Sequence, residues 1–294
     1  MVFTSRQSIA GLALFLACQT LAYASPVRVT LVLSDSTSAY QELGSEIRST
    51  LPKEFELSAF SVGEEFADAD LYVAVGMKAA EVLSSKGKPT LNILLPRAGF
   101  EKLKRAQSSS YSAIFMDQPM LRQLALIVSL LPQATSIGVL YDTPPTELDS
   151  LRKLAGTKHL NLHEQQVNKQ HPLAGALSDL LQDSDVLLVL PDNNVYRSDT
   201  IRNILLETYR AKVPMVGISA NYVRAGALCA IYSTPQQIAY QAAEAIEEFA
   251  GTGRLPAPQY TKEFEISVNT QVARSLGVPV KDAVQLRVEV RRHQ

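Results

Sequence analysis

The sequence is short of cysteine, of net charge and of long apolar runs, and each shortage excludes a class of protein. Two cysteines, Cys18 and Cys229, occur in 294 residues. Once an amino-terminal segment carrying Cys18 is set aside, Cys229 stands alone. No intrachain disulfide then forms even in an oxidising compartment, and packing must hold the fold together. Twenty-eight Lys and Arg stand against 29 Asp and Glu, a formal charge of −1, with both signs spread along the chain. So balanced a chain lacks the footprint of a nucleic-acid binder or of a protein that docks on anionic membrane. The apolar run Ile9–Ala17 is nine residues long, against the roughly 20 a spanning helix needs.

Motifs for catalysis are missing as well. Gly217-Ile218-Ser219-Ala220-Asn221 fails G-x-S-x-G at its second glycine, so a nucleophile elbow is unsupported. Neither the phosphate-binding G-x-x-x-x-G-K nor the dinucleotide G-x-G-x-x-G is present. Cys229 lies in the apolar run 227–232 and reads as a buried small residue. His159 and His163 have the spacing that chelates zinc on a helix, but they fall around a strand, where four residues cover roughly 13 Å. His159, Asn161 and His163 there form a polar face opposite Leu160 and Leu162. The expectation is a binder, with no catalytic residue, no metal ligand and no cofactor.

What is present begins with a secretory pattern. Arg6 precedes the apolar run, and Ala22-Tyr23-Ala24 supplies the small residues of a cleavage site, so residues 1–24 read as a signal peptide. Leu16-Ala17-Cys18 also suggests a lipoprotein site, but Phe15 stands where such sites prefer a smaller aliphatic residue. Soluble export is the preferred reading over a lipid anchor at Cys18. The remaining chain is long for one compact core, which favours two lobes.

From Val27 the sequence alternates short apolar strands with amphipathic helices, the pattern of a parallel sheet covered on both faces. Strands read at 27–33, 56–61, 71–75, 90–95 and 111–115, then at 136–141, 160–167, 186–190 and 214–218. Helices read at 120–131, 174–181, 200–212 and 236–249. The first places Leu121, Leu124, Ala125, Val128 and Leu131 on one stripe before Pro132, and the last runs into Gly251-Thr252-Gly253. The expected fold class is α/β, with two doubly wound parallel-sheet lobes and a ligand cleft between them.

In open α/β sheets ligands bind beyond the carboxyl ends of the strands. The tips there are Ser34-Asp35-Ser36-Thr37, Gly76-Met77-Lys78, Pro96-Arg97, Asp117-Gln118, Tyr141-Asp142, Asp192-Asn193-Asn194 and Ser219-Ala220-Asn221. They are rich in short hydrogen-bonding side chains. Ser, Asp and Asn at such junctions are also preferred helix caps, a role that fits Asp117 ahead of Pro119 and a helix from Met120. Three consecutive polar side chains at 192–194 exceed what one cap requires. Arg97 has the fork geometry for a carboxylate, Gly76 permits close backbone approach, and Tyr141 offers a ring for stacking or packing.

The second half carries a resemblance. Asp192-Asn193-Asn194-Val195 matches "D-N-x-V"; Val213-Pro214-Met215-Val216 and Gly226-Ala227-Leu228 follow at the spacing of "I-P-V" and "G-A-L"; and residues 268–278, VNTQVARSLGV, match "I-N-x-x-x-A-x-x-L-G-I". These motifs resemble the ABC-transporter substrate-binding family, which includes tryptophan- and tyrosine-binding members. In the first half Gly76-Met77-Lys78-Ala79-Ala80 is similar to "G-T-P-A-A", whereas Ser34–Ser38 replaces "H-P-A-L-D" and Pro96–Phe100 stands where "D-P" is expected.

The resemblance implies a type I periplasmic-binding-protein-like fold, with lobe one from 26–113 plus 228–253 and lobe two from 114–227 plus 254–294. It implies hinge closure over a small-molecule ligand, an inner-membrane ABC permease as partner, and a periplasmic location. A periplasmic sensory or accessory protein for a membrane receptor would use the same cleft, and a hydrolase on a related scaffold is the third reading. No nucleic acid and no membrane span in the mature form are expected.

Overall fold

The computed structural model describes residues 26–104 and 110–293; the expected signal segment and Cys18 lie outside them. Two six-stranded sheets organise the chain. In chain order the strands are β1 (Arg28–Leu33), β2 (Glu56–Ser61), β3 (Leu71–Val75), β4 (Thr90–Leu95), β5 (Tyr111–Phe115), β6 (Ser136–Tyr141), β7 (Asn161–Gln166), β8 (Val186–Leu188), β9 (Met215–Gly217), β10 (Cys229–Tyr232), β11 (Gln259–Tyr260) and β12 (Glu265–Val268). The first sheet runs β11-β5-β4-β3-β1-β2 and the second β12-β10-β9-β8-β6-β7. All pairings are parallel except β10 with β12.

Burial explains which strands go where. β3 (LYVAV) and β6 (SIGVLY) are buried throughout, as central strands covered on both faces must be. β2 (ELSAFS) and β7 (NLHEQQ) are half exposed and close the outer edges, where polar side chains discourage pairing with another chain.

The helices are α1 (Ser38–Thr50), α2 (Met77–Ser84), α3 (Arg97–Lys104), α4 (Met120–Leu130), α5 (Leu148–Thr157), α6 (Leu173–Asp183), α7 (Ile201–Arg210), α8 (Ala220–Ala225), α9 (Pro235–Thr252), α10 (Thr270–Ser275) and α11 (Ala283–Arg292). On the first sheet, Leu43 and Ile47 of α1 meet Ile238, Ala242 and Ile246 of α9 over one face, and Ala79, Leu83 and Phe100 cover the other. On the second, α4, α5 and α11 supply Leu124, Leu151 and Leu286 to one face, and α6 and α7 supply Leu177 and Ile204 to the other. Residues one helical turn apart share a face, which gives each helix its single buried stripe.

The helix α9 starts on a capping box, with Thr234 Oγ1 accepting from Gln237 N and the Gln237 side chain bonded to Thr234 N. It ends at Gly253 in the left-handed conformation, φ 70°, the termination that its glycine-rich end predicts.

The strand ends differ from expectation in ways that move the lobe boundaries. Residues 228–233 were expected with lobe one, but Cys229–Tyr232 pairs with Val216–Gly217 on one side and with Glu265–Val268 on the other. The backbone groups of β10 are therefore satisfied in the second sheet. Residues 254–260 were expected with lobe two, yet Gln259 and Tyr260 pair with Ile114 and Phe115 in the first. The chain crosses between sheets at 116–119, at 233–234 and at 261–264, each a few residues beyond the expected point. His159, expected on the polar face of the strand read at 160–167, is a turn residue at φ 56° ahead of β7.

Candidate functional site

The carboxyl ends of both sheets face one cleft, and the first crossing lines it, with Gln118 bonded onward to the other two. The cavity there is about 350 Å³, at the small end of organic-ligand sites. Tyr40, Met77, Leu94, Pro96 and Met116 line it from the first lobe, and Pro191, Asp192, Asn193, Tyr196, Ile218, Tyr222 and Ile231 from the second, with Asp117, Gln118 and Gln123 at the first crossing and the start of α4.

Six of the residues expected at the strand tips meet here: Met77, Pro96, Asp117, Gln118, Asp192 and Asn193. Ser34 and Gly76 stand directly behind Tyr40. A Cβ on Gly76, whose φ is 88°, would lie 2.6 Å from Ser34 Oγ and 2.8 Å from the Tyr40 hydroxyl oxygen. Only glycine allows that approach in that conformation. Ser34 Oγ accepts the Ala79 N–H at 3.1 Å, so it closes the first turn of α2 from across the sheet.

The other tips turn to structure. Asp35 Oδ1 accepts Thr37 N–H at 2.9 Å, and Ser36 is exposed outside the lining. Tyr141 donates to Glu164 Oε2 at 3.1 Å on the edge strand. Asn194 Nδ2 donates to Asp142 Oδ2 at 2.9 Å. Ser219 flanks α8 without a capping bond from its side chain. Arg97 points its guanidinium at the Tyr260 hydroxyl, 3.4 Å away, and at Glu101, 4.0 Å away. None of these six lines the cavity.

The two carboxylates in the cleft have different surroundings. Asp192 Oδ1 accepts N–H groups of Asn194 (2.8 Å) and Val195 (3.1 Å), while Oδ2 accepts Asp142 N–H at 2.8 Å. Its charge is spent on three backbone donors, and it ties the loop after β8 to the loop after β6. Asp117, expected as a cap for the helix beginning at Met120, reaches the other way: Oδ1 accepts Arg97 N–H at 2.9 Å and caps α3. Burial pushes its carboxyl up to about 6, a rise that Glu147 reinforces and that the Arg97 N–H and guanidinium partly offset. Cys229 is wholly buried, its thiol pushed up to about 12 by burial alone, the profile of an inert core residue.

Behind the cleft the three crossings are bonded together. Gln118 Nε2 donates to Ser233 Oγ (2.9 Å) and approaches Thr261 Oγ1 (3.3 Å); Ser233 Oγ lies 2.5 Å from Thr261 Oγ1. Arg122 Nη1 donates to Gln118 Oε1 at 2.6 Å and to the Thr261 carbonyl at 3.0 Å, and its guanidinium lies 4.4 Å from the Phe264 ring centroid. Burial and Arg291 bring this guanidinium down to about 10.

Reading strand tips alone misses Tyr40 and Tyr222, which lie within the first turns of the helices that follow, and Ile231, which lies within β10. The Ser34 and Ser219 tips are close pointers to the two tyrosines. Among the described residues no group of three or more His, Cys, Asp and Glu is placed to hold a metal ion, and no helix is long and apolar enough to cross a membrane.

Two doubly wound lobes around one cleft, joined by three bonded crossings, define a periplasmic-binding-protein-like fold. The family model for ABC transporter substrate binding proteins matches residues 67–290, and the chain belongs to that family. A tyrosine-binding protein of Clostridioides difficile is 29% identical over 163 residues, which are 53% of this chain and 47% of that protein; the match thus spans about half the length of this curated relative.

Solved structures are similar in fold. The ligand-free, open structure of a substrate binding protein with adhesive properties from Clostridium difficile has a TM-score of 0.69 at 16% identity, over 87% of this chain and 96% of that one. A conserved domain protein from Vibrio cholerae gives 0.63 at 21%, over 89% and 98%. An ABC domain from Streptococcus pneumonia in complex with L-Trp gives 0.63 at 15%, also over 89% and 98%.

Proposed function

We propose that the protein is the exported, periplasmic solute-binding component of an ABC importer, which captures a small organic solute in the cleft and presents it to an inner-membrane permease when the lobes close. The observation that carries this reading is the cavity itself, lined from both lobes and by the first crossing between them. A ligand touching both walls binds the closed form better than the open one, and that difference in affinity is what drives closure. Of the tip residues, Met77, Asp117, Asp192 and Asn193 are the proposed ligand contacts, with Tyr40 and Tyr222 added by the cavity lining. The amino-terminal 24 residues supply the export signal in this reading.

A thermal-shift screen of the mature protein against amino acids, amines, purines and sugars tests it. A true ligand at about 100 times its dissociation constant adds roughly 2.7 kcal/mol. A panel in which no compound raises the melting temperature removes the proposal.

A further inference from the structure

The lining of the cleft has an uneven chemistry. Tyr40, Tyr196 and Tyr222 bring three aromatic rings, and the charged residues on the wall are both acids, Asp117 and Asp192; none of the lining residues is Lys, Arg or His. The nearest cations are engaged elsewhere. Arg97 offers Asp117 its backbone N–H, while its guanidinium faces Tyr260 and Glu101. Lys78 is exposed outside the lining, where its charge acts on Asp35. The amino end of α2 is no free anion site, since Ser34 Oγ already takes the Ala79 N–H.

Of the two acids only Asp117 has carboxylate capacity to offer. Its second oxygen has no side-chain partner among the described hydrogen bonds, whereas both oxygens of Asp192 are bonded to backbone N–H groups. Behind Asp117 a smaller cavity of about 50 Å³ shares Pro96 and Pro191 with the cleft and ends at Glu147, whose Oε1 is buried without a hydrogen-bond partner. That end of the cleft carries negative charge in excess of its bonded partners.

We infer that the cleft selects an organic ammonium ion with a flat apolar body and no carboxylate, its nitrogen at Asp117 and its body among Tyr40, Tyr196 and Tyr222. This rests on the solute-binding reading above and names the ligand class for it. A carboxylate on the ligand would enter a wall with acids and no cation, an unpaired charge that low local polarity makes costly. An ammonium meets a carboxylate oxygen and aromatic faces, both of which attract cations.

Calorimetric titration of tyramine, L-tyrosine and 4-ethylphenol separates the terms, because the three share a phenol ring and differ in amine and carboxylate. The expected order is tyramine tightest, with L-tyrosine and 4-ethylphenol each at least tenfold weaker. Asp117→Asn should cost tyramine at least tenfold more than it costs 4-ethylphenol. The titratable and charged groups around Asp117 are Arg97, Glu147 and Tyr260. A cation there needs the ionised acid, so with Asp117 held near 6 tyramine should bind about tenfold more weakly at pH 5 than at pH 7.5, and 4-ethylphenol equally at both. L-tyrosine binding as tightly as tyramine, or Asp117→Asn costing both phenols alike, overturns the ammonium assignment and leaves solute binding intact. Failure of all three to bind also overturns it, and the wider thermal-shift panel then decides separately whether the cleft holds a solute.

Discussion

The Asp192 loop of the second lobe and the Asp117 crossing at the back of the cleft each place one acid on the same cavity wall, and the fold uses them in opposite ways. Asp192 is a structural hub, with three backbone N–H groups converging on it. Asp117 has only the Arg97 N–H and its own backbone N–H, and burial holds it at an elevated pKa. Bonded acids make loops rigid, and under-bonded ones keep capacity for a ligand. Position at a strand tip therefore says little about role until the backbone donors are counted.

The largest effect expected from this contrast is on Asp192. Replacing it with Ala orphans three N–H groups at about 1 kcal/mol each, or roughly 3 kcal/mol in all, read as a lowered urea midpoint of the ligand-free protein. The variant is therefore not a clean test of ligand contact, and a midpoint equal to that of the parent breaks the comparison.

Next comes pH. Asp117 has a raised folded-state pKa, so its proton is held more tightly in the native protein than in the unfolded chain. The group costs nothing below about pH 4, where both states are protonated, and its penalty is complete above about pH 6. A rise to about 6 corresponds to at most about 3 kcal/mol, and nearer 2 with the cleft open to water. Asp117→Asn should flatten this fall in stability between pH 4 and pH 7; an unaltered difference between the two pH values would show that burial at this site costs little.

A smaller effect is expected at Gly76→Ala. The strained φ costs about 1–2 kcal/mol, and the added methyl must push Ser34 Oγ or the Tyr40 hydroxyl. Thermal denaturation reads the first, and a loss of ligand affinity exceeding that seen for a surface Gly→Ala control reads the second. The smallest is Ser233→Ala, about 1 kcal/mol in stability. Its sharper readout is small-angle scattering, where the contraction on ligand addition should occur at altered ligand concentration if the crossing network sets the open–closed balance.

Much of the fold was legible in the sequence because each strand is a short apolar run between polar breaks. β2 to β6 begin and end where that pattern says. The crossing points were not legible, because β10 stays in the second sheet and β11 joins the first without any change in composition; only their pairing partners, Gly217 and Ser267 for Ala230 and Ile114 for Gln259, reveal it. At the site, the three polar residues at 192–194 suggest ligand contact, yet Asp192 and Asn194 join two loops, and Asn193 lies on the cavity wall with no side-chain bond among the described hydrogen bonds. Tyr40 and Tyr222 reach the cavity because a helix starting at a strand tip carries its first-turn side chains back over that tip, a geometric fact that no tip residue encodes by itself.

The late crossings also bear on how the protein is made. Lobe one lacks α9 and β11 until residue 260 has emerged, and lobe two lacks β12 and α11 until residue 292. Neither half can bury its apolar faces early in synthesis, since each closes a loop of more than a hundred residues before its last contacts form. For the export proposed above that delay is useful: the topology keeps the chain translocation-ready until residue 292 has been made.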